Sequence, residues 1–339
     1  MIGVDIELTN RCNAKCYFCP RDQTPHEGLI TPETFEQALL RAVELREVTG
    51  DEPTHVNLCG LGEPLLNKRA AQHVAQVRAA GFECGMSSNG ALLSEAKAEA
   101  LLDAGLQRIF LNIGDRGEAY EDVYKLPWEK TLDNVTRFAR LAEGRCEVII
   151  VLVDHHQDEV HLADMRRFWQ DHGITQFQQY DIMNRGGALF VDHMQYDTSP
   201  EAEAAWALIE RSERPPMCAV PFLYLFVGYD GQYYLCCSDW KKEAPLGSVF
   251  DVGFVDIMRA KLEHVAQRSV PCSTCNLDPV NGVIDALRAR GEGADIDVEQ
   301  LHASMVESTG TLLAAVERLV PGASVGLPVA RRRIPLTAT

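Results

Sequence analysis

Three cysteines near the N-terminus, Cys12, Cys16 and Cys19, stand in the run Thr9-Asn10-Arg11-Cys12-Asn13-Ala14-Lys15-Cys16-Tyr17-Phe18-Cys19-Pro20. This C-x3-C-x2-C spacing puts three thiolates on one short loop, directly after an apolar-alternating strand signal at Gly3–Leu8. Three thiolates can hold a 4Fe–4S cluster and leave its fourth iron without a protein ligand. Zinc sites and most ferredoxin sites take four protein ligands, so a three-ligand loop suggests an iron kept open for chemistry. The alternatives are a zinc site with a distant fourth ligand, or unrelated buried thiols. A second cysteine group lies in the C-terminal third. Cys218 precedes Pro221, Cys236 and Cys237 follow an Asp230-Gly231 hairpin signal, and Cys272-Ser273-Thr274-Cys275 closes the region.

Positioning these residues falls to alternating strands and helices. Strand signals occur at Gly3–Leu8, His55–Cys59, Glu83–Ser87, Arg108–Ile113, Glu147–Val153 and Gln176–Ile182. Helical patterns fill the intervals at Pro32–Thr49, Lys68–Ala80, Glu95–Ala104, Trp128–Ala142 and Glu159–His172. Six strands with intervening helices predict an α/β fold with a parallel array. Periodicity alone leaves an open sheet and a barrel undecided. With 24% charged and 46% hydrophobic residues, the chain of 339 residues has an ordinary globular balance. No stretch approaches the roughly 20 apolar residues of a membrane span, and no signal-peptide pattern is present. Eleven cysteines in such a chain argue for metal or redox chemistry in a reducing cytoplasm. A net charge of −17 argues against a nucleic-acid partner.

A second motif follows the second strand signal: Leu58-Cys59-Gly60-Leu61-Gly62-Glu63-Pro64-Leu65-Leu66. Glycines let the backbone approach a ligand, and the turn presents carbonyls and a carboxylate to an ammonium group. Together, the cysteine loop and this Gly-x-Gly-Glu-Pro turn resemble the radical S-adenosylmethionine (radical SAM) enzymes. The resemblance implies a partial (βα)6 TIM-like barrel with the active site at the C-terminal ends of its strands. It implies that the open iron chelates S-adenosyl-L-methionine, with Gly60, Gly62, Glu63 and Pro64 at its methionine amino group. Ser87-Ser88-Asn89-Gly90 resembles the segment that reaches the methionine carboxylate and ribose, so Ser88 and Asn89 are cofactor candidates, as is Asn112. Phe18 matches the aromatic that lies against adenine. The C-terminal cysteines resemble the SPASM module in its short Twitch form, a small β-hairpin/helix unit. That resemblance makes Cys218, Cys236, Cys272 and Cys275 ligands of an auxiliary 4Fe–4S cluster, with structural zinc as the alternative. The expected division is a barrel at 1–190, a connection at 191–214, the auxiliary module at 215–285 and a C-terminal helix and tail at 286–339.

In this family a reduced cluster cleaves the sulfonium to a 5′-deoxyadenosyl radical, which removes hydrogen from an unactivated C–H bond. A flavodoxin- or ferredoxin-type donor is the implied electron source. The Twitch resemblance, shared with aminocyclitol-tailoring members of antibiotic biosynthesis, points to an oxidoreductase acting on a small carbohydrate-like molecule. The expected reaction dehydrogenates a secondary alcohol, with epimerisation or sugar-acid decarboxylation as alternatives. A ribosomal-peptide maturase is a further alternative, disfavoured because the cysteine loop begins too early to leave room for a recognition domain ahead of it. Glycyl-radical activases and plain iron–sulfur carriers fit the motifs less well. Substrate candidates are Asp5 and Glu7 on one face of the first strand, Arg185 after the sixth, and Cys237 as a spare thiol. Asp239 and Trp240 are expected at the cavity wall. Cys59, Cys84 and Cys146 read as core, and His155-His156 as loop residues pointing opposite ways.

Overall fold

The computed structural model describes residues 3–298, apart from 25, 51–52, 157, 190–195, 197, 212–217, 219, 269 and 292–295. Of the C-terminal helix and tail expected at 286–339, everything beyond Val298 therefore lies outside the described residues. Six strands, β1 (Gly3–Ile6), β2 (His55–Leu58), β3 (Glu83–Ser88), β4 (Arg108–Asn112), β5 (Glu147–Asp154) and β6 (Gln176–Asp181), pair in parallel in chain order. Between them run α1 (Pro32–Thr49), α2 (Ala70–Ala79), α3 (Glu95–Asp103), α4 (Gly117–Tyr124), α5 (Trp128–Leu141) and α6 (Glu159–Asp171). After them come α7 (Glu201–Ile209), α8 (Val220–Leu223), β7 (Tyr224–Val227), β8 (Gln232–Tyr234), β9 (Pro245–Ser248), α9 (Phe254–Ala266) and α10 (Pro279–Arg290). The result is the partial TIM-like α/β fold expected from the sequence.

Local chemistry sets the element ends. Thr31 Oγ1 accepts from Thr34 N at 3.1 Å, Pro32 occupies the first helical position, and Gly50 closes α1 with φ of 90°. Along β1, β2 and β4 every second residue is apolar, whereas β5 is apolar on both faces and β6 is mostly polar. Val4, Ile6, Val56, Leu58, Met86, Ile109, Leu111, Ile150 and Leu152 join one buried cluster with Phe35, Val74, Leu101, Phe138 and Trp169 of the helices. The alternate positions carry the polar residues, Asp5, Glu7, Asn57 and Asn112 among them.

The hairpin extends the same sheet. β7 pairs in parallel with β1 (Val4↔Leu225, Asp5↔Phe226), and β8 and β9 follow antiparallel. Glu7 is fully buried where these parts meet. Its Oε1 accepts from Leu61 N at 2.8 Å, and its Oε2 accepts from Tyr229 N at 3.2 Å and from Lys242 Nζ at 3.1 Å. Lys242 also lies 3.7 Å from Asp230 Oδ2 and over the rings of Tyr229 and Tyr234. Removing one member of a buried ion pair strands the other. Lys242→Met is therefore expected to lower unfolding free energy by about 3–5 kcal/mol in urea titrations.

Candidate active site

All six loops that follow β1–β6 lie at the C-terminal edge of the parallel sheet, and hydrogen bonds tie several of them together. Glu63 N donates to Arg11 O at 2.8 Å, which docks the Gly-Glu-Pro turn on the cysteine loop. A Cβ on Gly62 would stand 2.3 Å from Arg11 O and 2.6 Å from Thr9 O, so only glycine permits this approach. Glu63 is buried and accepts from Ser88 Oγ (2.9 Å), Leu65 N (3.1 Å) and Asn89 N (2.8 Å). Burial pushes its carboxyl above the ordinary value, against the pull of those bonds. A desolvated carboxylate of this kind suits an ammonium ligand. Asn89 Nδ2 donates to Asn13 Oδ1 at 2.9 Å and lies 3.9 Å from Cys12 Sγ. Asn112 Nδ2 donates to Ser87 Oγ at 2.9 Å. Gly60 faces Glu7, whose Cγ stands 2.6 Å from where a Cβ would be. Pro64 opens a buried 3-10 turn, Pro64–Leu66.

The three N-terminal thiols feel one another. Burial raises each, and the charges of Cys12 and Cys19 add to the rise at Cys16. Ala14 N donates to Cys12 Sγ at 3.4 Å, and Cys19 N closes on Cys16 O at 3.1 Å. Phe18 is buried edge-on to Tyr124 and stacked on His155.

Cys218, Cys236, Cys272 and Cys275 line one small cavity with Val220, Pro221, Pro271 and Leu277. All four are buried, and burial is the main force holding each as a thiol, with neighbouring thiolate charges adding to it. Four thiolates could share such a space only around a cation. The backbone is prepared for sulfur: Ser238 N donates to Cys236 Sγ and Leu277 N to Cys275 Sγ, both at 3.4 Å. Asn281 Nδ2 gathers the carbonyls of Cys272, Ser273 and Cys275, and Arg268 Nε bonds Asp278 Oδ1 at 3.0 Å beneath them. Both cysteine groups thus fit metal clusters in donor type and in enclosure.

Arg185 stands between the two groups. Its charge lowers the thiols of both Cys19 and Cys237 against the larger effect of burial. It is held in a left-handed turn with φ of 52°. Thr274 Oγ1 donates to Gly186 O (2.8 Å), and Asn184 and Asn276 exchange backbone-to-amide bonds at 3.0 Å, so the auxiliary loop clamps this turn. Gly186 packs so closely that a Cβ would lie 2.6 Å from Ser238 O. The guanidinium sits 5.2 Å over the Trp240 ring, and Trp240 packs with Leu61 and Ala188 against Cys19. Arg185 Nε, Trp240 Nε1 and Ser238 Oγ are buried without a hydrogen-bond partner. Asp239, adjacent, is taken by Glu243 N (2.8 Å) and Ala244 N (3.0 Å).

Asp5 accepts from Asn57 Nδ2 at 3.0 Å, and burial raises its carboxyl to about 6. Cys59, expected in the core, instead bonds this carboxylate and lies within electrostatic reach of Cys237. Because Asp5 ionises less readily folded than unfolded, its contribution favours folding below about pH 4 and is lost as pH rises through about 6. Relative to wild type, Asp5→Asn should gain about 1.4 kcal/mol between pH 5 and 7.5, read as a shift between urea midpoints.

The structure corrects one reading outright. His155 and His156 do not point opposite ways; both Nε2 atoms reach Asp115.

Residues 6–167 match the Radical SAM superfamily, and residues 218–276 match SPASM, an iron–sulfur cluster-binding domain. The chain is similar to the GTP 3′,8-cyclase of Aquifex aeolicus, 31% identical over 191 residues that cover 50% of this chain and 53% of that one. It spans between 29% and 60% of the length of curated relatives it matches. Among solved structures it is similar to BtrN in complex with AdoMet and 2-DOIA, with TM-score 0.54, 16% identity, and coverage of 81% of this chain and 93% of that one. It is also similar to Streptococcus suis SuiB bound to precursor peptide SuiA, with TM-score 0.59, 12% identity, and coverage of 82% and 70%. These two likenesses establish the fold. No helix among the described residues is long and apolar enough to cross a membrane.

Proposed function

From a radical SAM domain joined to a SPASM iron–sulfur domain in one chain, we propose an enzyme that dehydrogenates a secondary alcohol of a small, carbohydrate-like molecule such as an amino sugar or aminocyclitol. Its cofactors are S-adenosylmethionine and two iron–sulfur clusters. When bound, they supply one-electron chemistry: hydrogen-atom removal from an unactivated C–H bond and a sink for the electron that follows. Cys12, Cys16 and Cys19 hold the first cluster, and Glu63, with Ser88 and Asn89 behind it, meets the methionine ammonium. Cys218, Cys236, Cys272 and Cys275 hold the second. A flavodoxin- or ferredoxin-type protein is the proposed electron donor.

The observation that carries this reading is the set of orphaned polar atoms between the two cysteine groups. Arg185 Nε and Trp240 Nε1 can only donate, and the Ser238 hydroxyl can do either. Buried donors without acceptors cost free energy unless a ligand supplies oxygens, and a polyhydroxylated molecule does so. Asp5, poised near neutrality, accepts the hydroxyl proton as the alcohol becomes a carbonyl. Cys237, whose thiol burial raises against the pull of Arg185, lies within electrostatic reach of both Arg185 and Asp5.

The test is anaerobic turnover of the reconstituted enzyme with S-adenosylmethionine, dithionite and a panel of aminocyclitols, amino sugars and sugar acids. The expected product is lighter by two hydrogens and forms in step with 5′-deoxyadenosine. A product of unchanged mass in H2O that gains one deuterium when the reaction is run in D2O would mean epimerisation. Loss of carbon dioxide would mean decarboxylation, and either outcome ends the dehydrogenase reading.

A further inference from the structure

The loops after β4 and β5 bring three imidazoles and a carboxylate together, outside the groups used above. Asp115 is fully buried. His155 Nε2 lies 2.8 Å from its Oδ2 and His156 Nε2 2.9 Å from its Oδ1. His161, in the first turn of α6, places Nε2 3.4 Å from Oδ1 while bonding Gly114 O at 2.8 Å. One ligand atom from each of Asp115, His155 and His156 lies within 4.8 Å of the others. Adjacent histidines converge because His155 N turns back to Val153 O at 2.9 Å as the chain leaves β5, which brings the two ring centroids to 4.0 Å.

We propose that Asp115, His155 and His156 form a third metal site, for a divalent transition ion such as zinc. Two imidazoles and a carboxylate are a ligand set such ions accept, and no thiolate competes within it. The His155 side chain is wholly enclosed, whereas His156 is 42% and His161 28% exposed, so the ion enters from their side and keeps an open position there. Each ligating Nε2 binds the ion unprotonated, which leaves the ring proton on Nδ1. Tyr17 Oη, 2.6 Å from His155 Nδ1, then accepts that proton's hydrogen bond, the outer support that metal-bound histidines require. Because His155 also stacks on Phe18, the ion clamps the loop between Cys16 and Cys19.

The experiment adds zinc to the protein with both clusters in place, removes loosely held metal by gel filtration, and measures zinc and iron together with zinc K-edge X-ray absorption. The expected result is about one zinc per chain with nitrogen and oxygen ligands near about 2.0 Å and no sulfur. His156→Ala, a change at a half-exposed side chain, should weaken zinc binding tenfold or more with iron content unchanged, and His161→Ala should weaken it less. Failure of wild type to retain zinc, sulfur in the zinc shell, or equal binding by His156→Ala would each overturn the site and leave a hydrogen-bonded cluster only.

Discussion

Replacing Cys12 with alanine is expected to abolish S-adenosylmethionine cleavage and to lower bound iron from about eight to about four atoms per chain. The loop has no spare ligand. Cys12, Cys16 and Cys19 are the thiols that influence one another there, and Cys59 is committed to Asp5 across the sheet edge. Two thiolates hold such a cluster poorly, so the loss should be complete. The fold should survive, because β1 is fixed by β2 and β7 on either side and by the helix-facing pair Val4 and Ile6. The paired control is Cys272→Ala. It should also halve the iron, but leave S-adenosylmethionine cleavage in place and remove only the dehydrogenated product. Iron quantification with EPR on both variants therefore separates the two cysteine groups by consequence as well as by count. A Cys12→Ala protein that still cleaves the cofactor would remove the loop from its assigned role.

The strands were legible because alternation and β-branched content mark them locally, and α1 because its cap, proline and terminal glycine are all encoded in place. α4 was missed: Gly117–Tyr124 buries only Tyr120, Val123 and Tyr124, too few positions to show a period. The pairing of β7 with β1 joins residues more than 200 positions apart and leaves no local trace. The cysteine and glycine motifs were readable because their residue types are scarce and their spacing is dictated by a ligand. Side-chain partners were not. Glu7 looked like a substrate carboxylate, but Leu61, Tyr229 and Lys242 occupy its oxygens, and two of these come from distant sequence. His155 and His156 were misjudged because alternation holds only while the backbone stays extended, and one backward bond at Val153 ends it.

Arg185→Ala should reduce product formation by about 100-fold or more while leaving about eight irons per chain and the substrate-free cleavage of S-adenosylmethionine intact. The reasoning is geometric. The turn that carries Arg185 is fixed by Asn184, Gly186 and Thr274 through backbone and neighbouring groups, none of which needs the guanidinium. Alanine at φ of 52° meets the same backbone strain as arginine, so the substitution removes the side chain and little else. What is lost is a guanidinium whose buried Nε has no acceptor in the protein, next to Trp240. Arg185→Lys keeps the charge and forfeits the planar fork, so it should recover only part of the activity, chiefly through KM. Trp240→Phe keeps the ring under the cation and deletes one N–H, and should cost less than Arg185→Ala. An iron count falling toward four in Arg185→Ala would make the arginine a strut of the auxiliary loop. Its assignment as the group that binds substrate oxygen would then be withdrawn, and the orphaned atoms around it would need another ligand.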